Sequence, residues 1–454
     1  MTDEAPVVDL VQRLAIADLH DAWHVLDGEE RVEGFRALSH SEGEEFFSEL
    51  PTADQIALVE ALSPSERRLW LRMLAPDDAA DLLQHASEER RCELIAMLDE
   101  PVRREVNTLL AYAEDDAGGL MSTRYARVRP EMTVDEAILY LRRQANQRLE
   151  TIYYGYVLDN RQKLLGVMSF RDLFQAKGAS LVRDVMHTDV ITIPEEMDQE
   201  AVGRLFAQHD LVALPVIDSE GRMKGIVTVD DIVDVVQEEA TEDIQKIGGT
   251  EALDAPYLEV GAREMLKKRA GWLVVLFLGE MLTATAMAFY QDELGKVLVL
   301  SNFIPLIISS GGNSGSQAST LVIRALALGE LKLRDWWHVM RREIGMGLML
   351  GALLGAIGFM RILAWQKISI AYRGEDQAVY GPHYLRVAVT VSCSLIGVVL
   401  WGSLSGSMLP LLLRRLGFDP ASACAPFVAT LVDVTGLIIY FTFASIFLAS
   451  QLAH

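Results

Sequence analysis

One carboxylate in this chain sits where a carboxylate is expensive. Asp433 lies in the segment PFVATLVDVTGLIIYF, residues 426–441, about a third of the way along an apolar stretch. An ionised acid at hydrocarbon depth is tolerated only if it faces water, a cation or a polar partner. No Lys or Arg lies in that stretch to neutralise it. A cation ligand is therefore one reading, and an interhelical hydrogen bond or a snorkelling acid is the other. A second apolar stretch carries the small-polar run Ser309-Ser-Gly-Gly-Asn-Ser-Gly-Ser-Gln317 inside PLIISSGGNSGSQAST. Such a run faces protein or water rather than lipid. Gly311, Gly312, Asn313, Ser316 and Gln317, with Thr430 from the last stretch, are the candidate pore-lining residues. Backbone carbonyls, Asn and Ser supply neutral oxygen, and Asp433 adds a charged one. Oxygen ligands without His or Cys suit hard cations such as Mg²⁺ and Ca²⁺. Gly312-Asn-Ser-Gly315 also fits the GxSG pattern of intramembrane serine proteases, but none of the histidines falls within an apolar stretch to serve as base, the terminal His454 aside. Glu280 is the one spare acid in an apolar stretch, and a weaker candidate.

These groups need elements to hold them. Five apolar stretches follow residue 268: Gly271–Tyr290, Val297–Ile323, a short glycine-rich one at Ile344–Met360, Val387–Leu413, and Pro420 to the C-terminus. A crossing helix needs about 20 apolar residues, so the third is marginal by length. Lys267, Lys268 and Arg269, then Lys332, Arg334, Arg341 and Arg342, then Arg414 and Arg415 fall on one side if there are five crossings. Basic loops stay inside, which places the N-terminus inside and the C-terminus outside. Gly347, Gly351 and Gly355 recur every four residues, and Gly402 and Gly406 repeat that spacing. They permit close helix approach, within one subunit or between copies.

The 454 residues divide sharply by charge. Residues 1–260 hold 53 acidic and 25 basic residues, whereas 261–454 hold 11 and 16. An acidic water-facing half is joined to an apolar half. That excludes a disordered chain and a single soluble domain. Nucleic acid is an unsuitable partner for so acidic a half, because phosphates need Lys and Arg. Cys92, Cys393 and Cys424 lie far apart, so neither a disulfide framework nor a zinc site is indicated. The N-terminus, MTDEAPVVDL, lacks the apolar core of a signal peptide, and the first half is expected to stay in the cytoplasm.

The acidic half contains two internal repeats. A 12-residue period runs through Leu26-Asp, Leu38-Ser, Leu50-Pro, Leu62-Ser, Leu74-Ala, Ala86-Ser, Leu98-Asp and Leu110-Ala. Fixed-period short helices predict a small α-superhelix over about 25–115. Farther on, residues 120–137 match 185–201, and 156–173 match 215–232. Each copy reads strand–helix–strand–strand–helix and closes on Gly-x-x-Ser/Thr-x-x-Asp: Gly166, Ser169 and Asp172, then Gly225, Thr228 and Asp231. This pattern resembles a tandem pair of CBS domains, the modules named after cystathionine β-synthase. The resemblance implies an adenosine ribose held by Thr228 and Asp231, and less securely by Ser169 and Asp172, so ATP or another adenine nucleotide is a candidate cofactor.

Carboxylates crowd the second copy and the stretch after it, among them Asp218, Glu220, Asp230, Glu251, Asp254 and Glu259. They read either as a solvated acidic face or as surfaces that a divalent cation would draw together. From end to end the order now resembles the MgtE family of magnesium channels and transporters. PLIISSGGNSGSQAST and DPASACAPFVATLVDVTGLIIYF are similar to the family's membrane signatures. The expected fold class is a multidomain membrane protein. It has an acidic α-superhelical N domain (1–117), an α/β tandem CBS pair (118–183 and 184–239), a connecting plug helix (240–268) and an all-α transmembrane domain of five helices (269–454).

The resemblance implies a homodimer in a bacterial plasma membrane, with one pore on the dimer axis and passive Mg²⁺ influx. Asp433 would bind the hydrated ion, and Asp419 would contact it near the inner end. Cytosolic Mg²⁺ would close the pore by binding Asp218, Glu220 and Asp230 on the CBS side and Glu251, Asp254 and Glu259 on the plug side. Glu93 and Asp99 are the candidate N-domain partners. The polar run departs from the frequent GGNxGNQ at Ser316. Two other classes stay open: a CBS-regulated divalent exporter or exchanger, and a membrane-anchored Mg²⁺ sensor without transport. No ATP-hydrolysing GxxxxGK[ST] motif is present, and no enzymatic activity is expected.

Overall fold

The 12-residue period becomes a row of short helices whose start points keep step. In the computed structural model these are α2 (Gly28–Ala37), α3 (His40–Glu49), α4 (Thr52–Ala61), α5 (Pro64–Leu71), α6 (Pro76–Gln84), α7 (Glu88–Met97) and α8 (Glu100–Leu109), after a first helix α1 (Ile16–Ala22). Their N-caps are Asp27, Ser39, Pro51, Ser63, Ala75, Ser87 and Asp99, every twelfth residue. Asp27, Ser39 and Ser63 form reciprocal capping boxes with Glu30, Glu42 and Glu66, which satisfies free backbone donors at each start. The residue just before each cap, Leu or in one case Ala86, faces the core: Leu50, Leu62, Ala86 and Leu98 are buried, and Leu26, Leu38 and Leu74 are half-buried. The structure describes residues 16–145, 149–253, 257–258, 260–290, 298–373, 379–380 and 383–452. The chain forms two units, residues 1–239 with 254–259, and residues 240–253 with 260–454.

In the first unit both CBS copies fold alike. In the first, β1 (Tyr125–Val128) pairs parallel with β2 (Thr151–Leu158), which pairs antiparallel with β3 (Leu164–Ser169). In the second, β4 (Ile193–Pro194), β5 (Ala213–Ile217) and β6 (Met223–Thr228) repeat that order and those directions. The N domain shares one core with the second copy: Leu94, Val106 and Leu109 belong to the same buried cluster as Ile193, Phe206 and Leu214. The stretch leading to β1 pairs with the second copy as well. Gln199 N donates to Asp115 O, Ala117 N to Met197 O, and Ser122 exchanges two backbone hydrogen bonds with Ile226.

After α9 (Ala117–Leu120), α10 (Val134–Ala145), α11 (Phe170–Gln175), α12 (Val182–Val185), α13 (Gln199–His209) and α14 (Val229–Ile247), the second unit holds five long helices among the described residues: α15 (Ala262–Phe289), α16 (Ile304–Ala327), α17 (Trp336–Arg373), α18 (Tyr384–Arg415) and α19 (Ala425–Leu452). Four of them are long and apolar enough to cross a membrane. The other, α16, carries the polar run. Packing fixes their directions. α15 and α19 run the same way, with Trp272 against Phe427, Gly279 against Thr430, and Tyr290 stacked on Phe441. α16 and α18 also run together, Gly311 against Gly402 and Gly315 against Gly406. α17 opposes α18, and α16 opposes α19. Direction thus alternates along the chain, as it must when successive helices cross the same slab.

Two expectations about boundaries change. The third crossing is not short: α17 has 38 residues, about 57 Å at 1.5 Å per residue. Arg361 and Lys367 had made the apolar stretch look truncated, but helix continues through both. Nor is 240–268 one helix. α14 (Val229–Ile247) runs without a break from the second CBS copy. It stops at Gly248 and at Gly249, whose φ of 76° suits glycine. The next helix starts at Ala262.

Candidate functional site

The polar run is helical, and its residues divide into two faces. Gly311, Gly312, Ser314 and Gly315 turn inward. A Cβ on Gly402 would lie 2.2 Å from Gly311 O, and one on Gly406 only 2.0 Å from Gly315 O, so the backbones of α16 and α18 touch. Ser314 Oγ lies 2.7 Å from Ser403 Oγ, Ser316 Oγ donates to Ala425 O, and Ser319 Oγ donates to Ala423 O. Gly311 is therefore a packing residue in this structure, because the helix crossing consumes its lack of a side chain; Gly312 is buried beside Ala429 of α19, where a Cβ would lie at an ordinary 3.5 Å. The opposite face carries Ser309, Asn313, Gln317 and Thr320, all exposed. They recur three or four residues apart and form one polar stripe along the helix.

Asp433 lies one residue beyond Val432, which packs on Gly311. Its carboxyl lies near Glu280 on α15. The close approach of Gly279 to Thr430, where a Cβ would come within 2.8 Å of Cγ2, brings the two helices near enough for that contact. Thr430 is half-buried and donates to Pro426 O at 3.0 Å. Asp419 sits at the turn between α18 and α19, where Oδ1 accepts from Ala421 N at 2.8 Å and Oδ2 lies 2.7 Å from Lys246 Nζ.

In the first unit the expected acids do not converge. Asp218 is consumed by its own β5–β6 hairpin: Oδ1 accepts from the backbone N–H of Glu220 and Arg222, and Oδ2 from Arg222 Nε at 2.8 Å. Glu220 pairs with Arg222 as well. Asp230 begins α14 at the far end of β6, about 20 Å away by strand rise, so the three cannot share an ion. Glu93 pairs with Arg90 and Arg67, and Asp99, at the N-cap position of α8 without a side-chain capping bond, binds Arg72. These arginines already neutralise both N-domain candidates. Glu251 lies in the second unit, where its backbone N–H donates to Lys268 O. Asp254 and Glu259 lie outside the described residues.

What gathers around Asp230 instead is a group absent from the candidates above. Asp77 and Asp78 open α6 and Asp81 follows one turn on. They share a field with Glu150, Asp230 and Asp231. Burial, then Asp78, Asp77 and Asp231, push the Asp81 carboxyl up to about 8. Burial, with Asp230 and Asp77 adding to it, pushes Asp231 up to about 7, and Glu150 rises to about 7 through burial and the charges of Asp77 and Asp78. Asp77 is only 8% exposed. Its Oδ1 meets no hydrogen-bond donor among the described residues. An orphaned buried carboxylate oxygen costs free energy until a proton or cation reaches it. Among the described residues no three His, Cys, Asp or Glu side chains are arranged to hold a metal directly. A Mg²⁺ that keeps several of its waters asks for less, since it reaches carboxylates through those waters. The donor set, carboxylates only, fits a hard cation.

Both Ser/Thr–Asp pairs of the CBS copies are closed on themselves. Ser169 Oγ donates to Asp172 Oδ2 at 2.7 Å, and Thr228 Oγ1 to Asp231 Oδ2 at 2.5 Å. In both, the pair also caps the following helix.

Comparison with known proteins gives the class first. The family described as "Divalent cation transporter" matches residues 304–443, the MgtE intracellular N domain matches 14–115, and CBS domains match 117–178 and 182–238. The chain is 39% identical over 449 residues to "Magnesium transporter MgtE" of Thermus thermophilus, covering 98% of this chain and 96% of that one. It is 30% identical over 406 residues to the protein of the same name from Bacillus subtilis, with coverage of 89% and 86%. A solved structure titled "Crystal structure of the cytosolic domain of the Mg2+ channel MgtE in complex with ATP" is 40% identical, covers 50% of this chain and 92% of that chain, and has a TM-score of 0.47. This chain belongs to the MgtE family of magnesium transporters.

Proposed function

We propose that this protein lets Mg²⁺ pass into the cell down its electrochemical gradient and closes when cytosolic Mg²⁺ rises. The observation that carries the pathway is the exposed polar stripe Ser309, Asn313 and Gln317 on α16, next to the level of Asp433. Lipid does not accommodate such a stripe, so it faces water or a second copy of the chain. A homodimer would bring two stripes and two Asp433 carboxylates to one axis. Paired carboxylates favour a divalent over a monovalent ion about twofold in energy at equal distance. The membrane potential would drive inward flux with about 2.3 kcal/mol per charge per 100 mV. The basic loops orient the CBS pair and N-terminus toward the cytoplasm and the C-terminus outward.

The sensor reading moves to Asp77, Asp78, Asp81, Glu150, Asp230 and Asp231. Their mutual repulsion opposes the packing of α6 on the CBS pair, and Mg²⁺ would relieve it. An adenine nucleotide at the second CBS copy would require the Thr228–Asp231 bond to open toward a ribose. The experiment is Mg²⁺ uptake into liposomes under an imposed potential, at low and high Mg²⁺ on the cytoplasmic face. Native protein should conduct at low Mg²⁺ and close at high Mg²⁺, and Asp77→Asn/Asp81→Asn should stay open at levels that close the native protein. Closure of that double variant at the native Mg²⁺ level would remove the cluster from the sensor.

One observation favours a second reading. Glu280 beside Asp433 supplies the additional membrane carboxylate that a coupled exchanger needs. Flux driven by a proton gradient at zero potential would select it; flux that follows potential alone would discard it.

A further inference from the structure

One face of α17 packs and the opposite face does not. Gly347, Gly351 and Gly355 bring its backbone against α18, where a Cβ on Gly347 would lie 2.9 Å from Leu400 Cα. Gly345 stands on the far side of the helix, and a Cβ there would meet nothing within 4 Å. Around it lies an open pocket of about 410 Å³ lined by His338, Arg341, Arg342, Gly345, Met346 and Met349. Steps of three and four residues keep these side chains on one face. Both arginines are exposed, and among the described residues neither makes a hydrogen bond or an ion pair. Glu343, half-buried, offsets part of the Arg342 charge. Other cations at this end are engaged: Arg414 Nη1 donates to Leu326 O, and Arg334 Nε lies 4.0 Å from Asp335 Oδ1. Depth decides what reaches the pocket. Residues 344–360 carry no charge, and Arg361 follows Arg342 by 19 residues on the same helix. That is about 28 Å of helix, close to the about 30 Å of a hydrocarbon core. Arg341 and Arg342 therefore sit at the level of lipid phosphates, with exposed Trp336 and Trp337 a turn nearer to water. Deeper in the membrane the same face continues as exposed Met349, Leu353 and Met360. Val339 packs inward with Val322, Leu326 and Leu411, which fixes these turns to the ends of α16 and α18.

We propose that this pocket binds an anionic phospholipid, with the phosphate held by Arg341 and Arg342 and an acyl chain laid along Met349, Leu353 and Met360. A guanidinium fork meets two phosphate oxygens at once. His338 adds a ring N–H donor at the rim. A zwitterionic lipid brings an ammonium of its own beside two arginines, so the pocket selects a headgroup of net negative charge. Free phosphate has no use for the apolar stripe, which is why the occupant is a lipid. The leaflet rests on the orientation read from the basic loops. The pocket does not, since reversing the protein would carry it intact to the other leaflet.

The test uses the full-length protein in detergent, titrated with phosphatidylglycerol or phosphatidylcholine of matched chains, with bound lipid counted by native mass spectrometry. No leaflet exists there, so the result is independent of orientation. The native protein should hold phosphatidylglycerol about tenfold more tightly than phosphatidylcholine. Each arginine near an anionic group contributes about fivefold, so Arg341→Gln/Arg342→Gln should lower that preference to about twofold or less. Arg341→Lys/Arg342→Lys keeps both charges and should retain about half of it or more. Lys332→Gln/Arg334→Gln removes two charges from the preceding loop, outside the pocket, and should change the preference by less than about twofold. An equal loss in the loop variant overturns the proposal, because it would report net charge rather than a pocket. An unchanged preference in Arg341→Gln/Arg342→Gln overturns it as well. Displacement of the lipid by millimolar inorganic phosphate would make this a free-phosphate site, and a changed oligomeric state in Arg341→Gln/Arg342→Gln would give the face to a second copy; either result ends the proposal. Melting temperature in lipid-free detergent identifies any variant that fails to fold.

Discussion

At the scale of single residues, the acids divide by what else they touch. Asp218, Glu93 and Asp99 are met by arginines, and their charge is spent locally. Asp77, Asp81 and Asp231 meet one another. Their raised pKa values carry a sign. A carboxyl at about 8 in the folded protein and near 4 when unfolded binds its proton more tightly in the folded state. Stability should therefore fall as pH rises from about 4 to about 8 when divalent ions are chelated. Millimolar Mg²⁺ should remove most of that slope, and Asp81→Asn should flatten it without Mg²⁺. Melting temperature of the detergent-solubilised protein across that range, with EDTA or Mg²⁺, checks all three statements. In the membrane, Asp433→Ala should abolish selective Mg²⁺ flux while leaving the melting temperature near native. Selective flux from that variant would make Asp433 a structural acid.

At the scale of elements, the glycines of α16 and α18 are the most demanding contacts. Gly406→Leu would place a Cβ 2.0 Å from the carbonyl of Gly315, and backbone cannot yield as a side chain does. The expected cost exceeds the about 1–3 kcal/mol of ordinary overpacking. It should appear as a large fall in melting temperature or loss of a single elution peak, whereas Gly345→Ala, with open space around it, should be neutral. The sequence made such elements readable where the signal was local. The superhelix was legible because a leucine and a capping residue return every twelve positions, and the CBS pair because one copy spells out the other. The crossings followed from hydropathy, except where Arg361 hid the length of α17. The site was less legible. Asp77 and Asp78 look like ordinary first-turn acids of a helix, and only the fold brings Asp230 and Asp231 to them. A helical projection of the polar run would have separated Gly311 and Gly312 from Asn313 and Gln317, since the two sets differ by helical phase alone.

At the scale of the whole molecule, the acidic half and the helical half are joined by α14, which carries residues of both units on one helix. The order of domains along the chain is not the order in which their surfaces pair. Residues 115–122 hydrogen-bond to the second CBS copy although the first copy comes next in sequence. A fragment ending at residue 183 should expose the apolar surface that Ile193, Phe206 and Leu214 cover, and proteases should cut its N domain far faster than the same residues in the intact chain. Equal protection in both would show the shared core to be dispensable. The arrangement is nested rather than serial, with the first copy leaving and returning like an inserted loop. During synthesis the N domain then waits for residues 193–228 to emerge before its last contacts can close, so the ribosome delivers the proposed sensor's two faces in separate instalments and completes them together.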